Sequence, residues 1–285
     1  MNPIDTVFQR LRAEGRKALI PFLTAGDPNL DATTTLVREL SKRGASLIEI
    51  GFPYSDPLAD GPVIQASYTR ALEKGIRVAD ILKCIREIGR NEGCGIPLVG
   101  MLSYSLVLPR GPEVFLQLAQ DAGLSGAIVP DLPIEEADSF AEVAKRQDFK
   151  LIHLVTPTTP RARAVQIAKL STGFLYYVSV AGITGERDKL PDDLLRELTW
   201  LRGQTDLPIC VGFGISRPEQ ARMLRDVVDG IIVGSAFVRK LEGTVKRTLQ
   251  EIAREIGELA MSLVHALNPT ALEVPIHGRE ATQTH

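Results

Sequence analysis

The sequence predicts an α/β fold, a (β/α)8 barrel of the TIM type with one extra helix at the N-terminus. Eight short apolar runs rich in Ile, Val, Leu and Tyr recur along the chain, segments with helical spacing separate them, and the composition does not change between the two halves. Runs of that kind are typical of parallel strands buried on both faces. The eight runs are 19–24, 47–52, 96–102, 126–130, 151–155, 174–179, 207–213 and 229–234.

The segments between the runs carry helix signals. The extra N-terminal helix is expected to start at Asn2-Pro3, because proline is favoured at the first helical position. Later helices are expected to stop at glycines that adopt the left-handed conformation, namely Gly44, Gly89 and Gly123. The last helix or pair of helices covers 236–267. The alternative fold is a doubly wound open sheet, but its first turn needs a GxGxxG pattern and this chain has TAGDPN there.

Length and composition limit the classes of protein. The 285 residues are expected to form one catalytic domain over 1–267, followed by a disordered tail over 268–285, where the apolar periodicity ends. A formal net charge of -2 gives no basic surface for nucleic acid or membrane. The three cysteines form no CxxC pair, the N-terminus lacks the features of a signal peptide, and no apolar run is long enough to span a bilayer. We therefore expect a cytoplasmic protein with free thiols.

Glu49 is the first candidate for catalysis. It lies inside the apolar run Leu47-Ile48-Glu49-Ile50-Gly51, near the end of the predicted second strand, and barrel active sites lie at that end of the strands. A carboxyl group buried there is costly unless it is paired or used, and burial raises its pKa towards values suited to proton transfer. The alternative is a structural ion pair, but none of the eight runs contains Lys or Arg.

Asp60 is the second candidate. It lies in the loop FPYSDPLADGP, residues 52–62, directly after the strand that carries Glu49. Taken alone, Asp60-Gly61-Pro62 is ordinary turn chemistry. Its position favours a catalytic role, because one buried and one more solvated carboxyl group at the same rim can divide the roles of acid and base.

Glycine-rich segments follow three consecutive predicted strands, at 179–186, 212–216 and 234–237. In barrel enzymes, loops after the last strands and a helix N-terminus commonly bind phosphate through backbone N–H groups. Each loop alone is also compatible with a tight turn, and together the three favour a phosphate site. Lys150 precedes its strand and is at the wrong end for Schiff-base chemistry, and the four histidines lack metal-ligand spacing, so no metal is expected. His153 is interpreted as a core residue.

The segment IEIGFPYSDPLADGP, residues 48–62, resembles the signature of the tryptophan synthase alpha chain family. The similarity covers about residues 1–265 and includes PFLTAGDP at 21–28, VPDLPIEE at 129–136, YYVSVAGITG at 176–185, GFGIS at 212–216 and GSAFV at 234–238. The resemblance implies cleavage of indole-3-glycerol phosphate to indole and glyceraldehyde 3-phosphate in tryptophan biosynthesis. It makes Glu49 the acid and proton shuttle, Asp60 the acceptor of the indole N–H, and Tyr176 a support for Glu49.

The resemblance also implies two sets of binding residues. The residues expected to line the indole pocket are Phe22, Thr24, Leu102, Ile128, Leu154, Phe174 and Thr184. The residues expected to bind phosphate, largely through backbone amides, are Gly185, Phe213, Gly214, Gly234 and Ser235.

A partner is implied in the same way. The family's alpha chain works with a beta chain that carries pyridoxal phosphate, as an α2β2 heterotetramer, and no cofactor is expected in this chain. The loops 53–60, 103–110 and 131–135 are expected to carry the contact. The sequence departs from the family pattern at Ser105, Leu106 and Val107, and at Val180.

Three other functions remain as alternatives. The first is another phosphate-binding barrel enzyme, which would lack the Glu49–Asp60 pattern. The second is a stand-alone lyase that releases free indole and needs no beta chain. The third is a binding and regulatory subunit with little catalysis of its own.

Overall fold

Parallel strands form the centre of the molecule in the computed structural model, which describes residues 1–57, 60–90, 95–133, 137–179, 191–212, 214–242 and 247–269. Within those residues the sheet has nine strands in the order β5-β4-β3-β2-β1-β9-β8-β7-β6. The strands are β1 (Ala18–Thr24), β2 (Ile48–Gly51), β3 (Leu98–Met101), β4 (Leu124–Ile128), β5 (Lys150–Ile152), β6 (Leu154–Val155), β7 (Leu175–Val178), β8 (Ile209–Gly212) and β9 (Gly230–Val233).

The barrel closes through His153. The fifth predicted strand is divided into β5, which pairs with β4, and β6, which pairs with β7. At the interruption, the backbone N–H of His153 donates to the hydroxyl of Ser171, 18 residues further along the chain, at 3.0 Å instead of to a neighbouring strand. The chain itself therefore joins the two ends of the sheet. The predicted barrel with eight segments of strand is confirmed, with the fifth segment broken at one residue.

Helices surround the barrel between the strands. In the described part of the chain they are α1 (Pro3–Ala13), α2 (Leu30–Lys42), α3 (Pro62–Glu73), α4 (Val78–Arg90), α5 (Tyr104–Val107), α6 (Pro112–Ala122), α7 (Ala137–Arg146), α8 (Arg161–Leu170), α9 (Asp192–Arg202), α10 (Pro218–Leu224), α11 (Ser235–Leu241) and α12 (Leu249–Leu267). No helix among the described residues is long and apolar enough to cross a membrane.

The predicted helix ends are mostly correct. Gly44 and Gly123 have φ values of 89° and 110°, the left-handed conformation that ends α2 and α6. The predicted stop at Gly89 is wrong, because α4 continues through it to Arg90. Asn268 follows α12 and its amide binds the backbone of Lys17, with its Oδ1 accepting from the Lys17 N–H at 2.7 Å. Residues 270–285 of the predicted tail lie outside the described residues.

The helix α1 closes the N-terminal end of the barrel. Its residues Ile4, Val7, Phe8 and Leu11 are buried with the inward-facing side chains of the strands, and the rings of Phe8 and Phe174 lie 5.7 Å apart. A separate and larger apolar cluster fills the layer between the barrel and its outer helices. At the opposite, C-terminal end of the barrel, a small cluster of Phe22, Ile64, Tyr68 and Val238 lies beside the candidate site.

Candidate active site

Glu49 lies on β2 between Phe22 of β1 and Val99 of β3 in the strand register. Its side chain is 1% exposed, and neither carboxyl oxygen has a hydrogen-bond partner in the described structure. Burial, followed by the negative charge of Asp60, raises the pKa of the Glu49 carboxyl to about 8. Glu49 therefore carries a proton at neutral pH. No ion pair to Glu49 exists among the described residues. The alternative that Glu49 serves in a structural ion pair is therefore not supported in that part of the chain.

Asp60 lies two residues before Pro62, the first residue of α3, and has two roles. Its backbone forms the turn, since its N–H donates to the Pro57 carbonyl at 3.1 Å and its carbonyl accepts from the Gln65 side chain at 2.7 Å. Its carboxylate faces the cavity and accepts a long 3.5 Å hydrogen bond from the Tyr54 hydroxyl. Burial raises the pKa of Asp60 to about 6, and the Tyr54 hydrogen bond acts in the opposite direction. At neutral pH, Asp60 is mainly ionised while Glu49 is protonated.

Both carboxyl groups line one cavity of about 250 Å³ at the C-terminal end of the barrel. Its volume suits a small molecule. Among the predicted site residues, those that line it are Phe22, Glu49, Asp60, Leu154, Tyr176, Gly214, Gly234 and Ser235.

Tyr176 lies on the inner face of β7 and lines the same cavity as Glu49. Its ring lies directly over Gly212 of β8, where a Cβ atom would come within 2.6 Å of it. Burial, followed by the charges of Glu49 and Asp60, raises the pKa of the Tyr176 phenol well above its usual value. The phenol therefore remains neutral and able to donate a hydrogen bond near Glu49, as the supporting role requires.

Four predicted pocket residues lie away from the cavity. The Thr24 hydroxyl is hydrogen-bonded to Ser67 of α3 at 2.6 Å, and Leu102 packs in the outer apolar layer. Ile128 and Phe174 belong to the inner cluster closed by α1 and do not line the cavity. Thr184, Gly185 and Phe213 lie outside the described residues, so their roles stay predictions.

The cavity also contains residues that the sequence analysis missed. They are Gly61, Ile64, Met101, Pro130, Val178, Ile215, Ser216, Ile232, Ala236 and Arg239. The two-residue period of a strand could have identified some of them, since Val99 and Met101 share the inner face of β3 and Tyr176 and Val178 share that of β7. Arg239 gave no such signal, because it reaches the cavity from α11.

One side of the cavity is built from backbone and small side chains. Gly214 has a φ of 77°, which is accessible to glycine, and Gly234 precedes Ser235 at the first turn of α11. Such segments expose backbone N–H groups to a bound anion. Arg239 is the one lysine or arginine among the described lining residues.

The fold and the site define a class, a (β/α)8 barrel with two carboxyl groups at one small cavity, which is typical of enzymes that use acid–base chemistry. A protonated and an ionised carboxyl group face one small cavity that has apolar walls and a glycine-rich rim suited to an anion.

Comparison with known proteins identifies the family. The family model for the tryptophan synthase alpha chain matches residues 8–266. The chain is 48% identical to a tryptophan synthase alpha chain from Rhodopirellula baltica, over 94% of this chain and 99% of the relative. It is 46% identical to the one from Synechocystis, over 92% of this chain and 100% of the relative. The chain belongs to the tryptophan synthase alpha chain family.

Solved structures agree with this assignment. The subunit alpha of tryptophan synthase from Legionella pneumophila superimposes with a TM-score of 0.84 at 35% identity, covering 94% of this chain and 98% of that one. A Mycobacterium tuberculosis tryptophan synthase chain gives a TM-score of 0.83 at 31% identity, covering 93% and 98%. The predicted barrel and the predicted family are both confirmed.

Proposed function

We propose that this chain is a carbon–carbon lyase that cleaves indole-3-glycerol phosphate to indole and glyceraldehyde 3-phosphate. The observation that carries the proposal is the pair of carboxyl groups in different protonation states at one cavity. Glu49 holds a proton at neutral pH and Asp60 has mainly lost its own. A retro-aldol cleavage of an indole needs one group of each kind.

The reaction uses the Glu49 proton first. Transfer of that proton to C3 of the indole makes the ring a leaving group and places positive charge on the ring nitrogen. The Asp60 carboxylate accepts the ring N–H and stabilises that charge. The ionised Glu49 then takes the proton of the hydroxyl on the side-chain carbon bonded to C3. As the carbon–carbon bond breaks, its electron pair returns to the ring and the hydroxyl-bearing carbon becomes the aldehyde, so Glu49 ends protonated as it began.

The walls of the cavity support the same substrate. Apolar side chains surround the carboxyl groups and suit the flat indole ring, which gains about 25 cal/mol for each Å² of apolar surface that it buries. The glycine-rich side at Gly214, Gly234 and Ser235 is proposed to bind the phosphate, together with Gly185 and Phe213. Lining side chains that would contact the ring are Phe22, Ile64, Met101, Leu154, Val178 and Ile232.

We further propose that the chain works with a beta chain that carries the pyridoxal phosphate, in an α2β2 heterotetramer in the cytoplasm. The Mycobacterium tuberculosis neighbour is described as a tryptophan synthase. Two of the predicted contact loops are tied together in this structure, since the Asp131 carboxylate accepts hydrogen bonds from the Ser103 hydroxyl at 2.6 Å and the Tyr104 N–H at 2.7 Å. Nearby, Leu108 is 58% exposed, as an interface residue of a free subunit can be.

The departures at 105–107 support this docking proposal. Val107 is fully buried, and Leu106, which is partly buried, packs against the outer apolar layer, so both side chains contact the interior of the subunit. Ser105 turns its hydroxyl to Ser103 at 2.7 Å. Of the three departures from the family pattern, a partner would therefore contact mainly Ser105. Val180, the other departure, lies outside the described residues.

Release of indole from indole-3-glycerol phosphate by the purified chain, with and without a tryptophan synthase beta chain, tests the proposal. We expect slow release alone and an increase of about tenfold or more with the beta chain, the usual size of allosteric coupling. Fast release without any response would instead indicate a stand-alone lyase. No release in either condition would overturn the lyase assignment and favour a binding subunit.

A further inference from the structure

Tyr68 is a buried residue that the mechanism above does not use. It lies on the inner face of α3 and is 1% exposed. Its hydroxyl is fully buried and has no hydrogen-bond partner among the described residues. An unpaired buried hydroxyl is unfavourable, so a residue that is merely structural would be better served by phenylalanine.

The Tyr68 hydroxyl lies close to the candidate site. A Cβ atom at Gly51, two residues after Glu49, would lie 2.8 Å from it, so the hydroxyl lies over the end of β2. The ring packs against the ring of Tyr54 with centroids 5.5 Å apart. After burial, the groups that raise the pKa of the Tyr68 phenol are Asp60, Tyr54 and Glu49, in that order. The phenol is therefore neutral, and Asp60 is the carboxyl group that affects it most.

The helix that carries Tyr68 is fixed to the barrel on both sides of that residue. Ser67 shares a 2.6 Å hydrogen bond with Thr24 of β1. The Arg70 guanidinium binds the buried Asp27 carboxylate through two hydrogen bonds of 3.0 and 2.6 Å. These contacts hold α3 in place, so the Tyr68 hydroxyl cannot move towards an acceptor. An acceptor must instead move to the hydroxyl.

Asp60 is the acceptor best suited to this hydroxyl. Its one side-chain hydrogen bond in the described structure, from Tyr54, is long at 3.5 Å, and catalytic hydrogen bonds often shorten only when substrate is bound. Hydrogen bonds to an ionised acceptor are roughly twice as strong as neutral ones. Glu49 is a weaker acceptor because it is protonated at neutral pH.

We propose that Tyr68 is a positioning residue for Asp60. In the substrate complex its hydroxyl donates to the Asp60 carboxylate beside Tyr54, and the two phenols hold that carboxylate ionised and aimed at the ring nitrogen. Among the described residues that line the cavity, the remaining charged or titratable groups are Glu49 of β2, Tyr176 of β7 and Arg239 of α11. The inference rests on the proposed function only in its kinetic test, which needs lyase turnover.

The test compares Tyr68→Phe with the parent chain and with Tyr177→Phe. Tyr177 is a matched control, because it is also buried but faces the outer apolar layer. With the beta chain present, kcat for indole-3-glycerol phosphate is measured against pH, because kcat reports the titrating groups of the enzyme–substrate complex. Loss of a donor to ionised Asp60 raises its pKa, so the acid limb of the Tyr68→Phe profile should move up by about one pH unit. The control profile should match the parent.

A second measurement does not depend on turnover. Titration of the Asp60 carboxyl by ¹³C NMR, with Asp60→Asn to identify its signal, should show the same upward shift in Tyr68→Phe with an unreactive indole phosphate analogue bound. If the parent shows no lyase activity, the proposed function fails and this titration still decides the role of Tyr68. If Asp60 titrates at the same pH in the parent and in Tyr68→Phe, the proposed role of Tyr68 is overturned.

A third variant covers the case in which Tyr68→Phe does not fold. Placing 3-fluorotyrosine at position 68 keeps the shape of the ring and makes the hydroxyl a stronger donor. The Asp60 titration should then move to lower pH. An unchanged titration in that protein would also reject the proposal.

Discussion

The two ends of the barrel differ in whether a buried polar side chain is hydrogen-bonded. At the end closed by α1, Asn2 is buried and both polar atoms of its side chain are hydrogen-bonded. Its Oδ1 accepts from the Ile4 N–H at 2.9 Å, and its Nδ2 donates to the carbonyls of Ser125 at 2.9 Å and Asp148 at 2.6 Å. At the open end, Glu49 is equally buried, and neither carboxyl oxygen has a partner in the described structure.

The difference shows how the barrel separates stability from reactivity. A satisfied polar group such as Asn2 fixes the position of α1, because each of its bonds would be costly to lose. An unsatisfied carboxyl group is held at a raised pKa and keeps its proton for chemistry. The rest of the fold must supply the free energy that the burial of Glu49 costs. Mutation at the open end should therefore lower activity and mutation at the closed end should lower stability.

The largest effect is expected for Glu49→Gln. The variant cannot give or take the proton, so indole release should fall about 10³-fold while the fold is retained. Kinetics with saturating beta chain, beside the exposed control Glu258→Gln, provide the measurement. A rate equal to that of the parent would show that Glu49 is not the acid.

The same substitution should alter how stability depends on pH. In the unfolded chain the Glu49 carboxyl ionises near its model value of 4.5, whereas in the folded chain it keeps its proton to about pH 8. Between those values the native state binds more protons, so the stability of the parent falls as pH rises and levels off above about pH 8. The Glu49→Gln variant should not show this loss of stability as pH rises. Urea unfolding at pH 5 and pH 9 should show the variant gaining on the order of 3 kcal/mol relative to the parent.

The second effect, at the closed end, has the reverse pattern. Asn2→Ala removes three hydrogen bonds, including the donors to the carbonyls of Ser125 and Asp148, which should lower the free energy of unfolding by about 3 kcal/mol. Turnover per folded molecule should remain that of the parent, since Asn2 lies at the other end of the barrel from the cavity. Urea unfolding and kinetics on the same preparation measure both. A loss of turnover in fully folded Asn2→Ala would mean that the two ends are coupled.

The sequence predicted the barrel well because its signals are local. Eight apolar runs and Asn2-Pro3 each identify an element without knowledge of its neighbours. The break at His153 could not be predicted in this way. It depends on a hydrogen bond from the His153 backbone to Ser171, a residue 18 positions away that only the fold brings near.

The same distinction holds at the candidate site. Glu49 and Asp60 are conspicuous in the sequence, since one is a carboxyl group within an apolar strand and the other follows in the next loop. Phe174 has the correct face but lies one layer too deep, where it meets Phe8. Depth along the barrel axis depends on strand register, which sequence periodicity does not give. Tyr68 and Arg239 come from helices, and nothing in their local pattern showed that they lie near the cavity.

The smallest effect should separate binding from chemistry within the open end. Ser235 begins α11 beside Gly234 on the glycine-rich side of the cavity, away from any proton transfer. If its hydroxyl contacts the substrate phosphate, it binds substrate and transition state equally. Ser235→Ala should then raise KM about fivefold and leave kcat within about twofold, because the backbone N–H groups remain. Ser262→Ala on the outer helix α12, whose hydroxyl binds only the Leu259 carbonyl in the described structure, is the matched control. A fall in kcat with unchanged KM would place Ser235 in the chemical step, and the phosphate would then have to bind elsewhere on the rim.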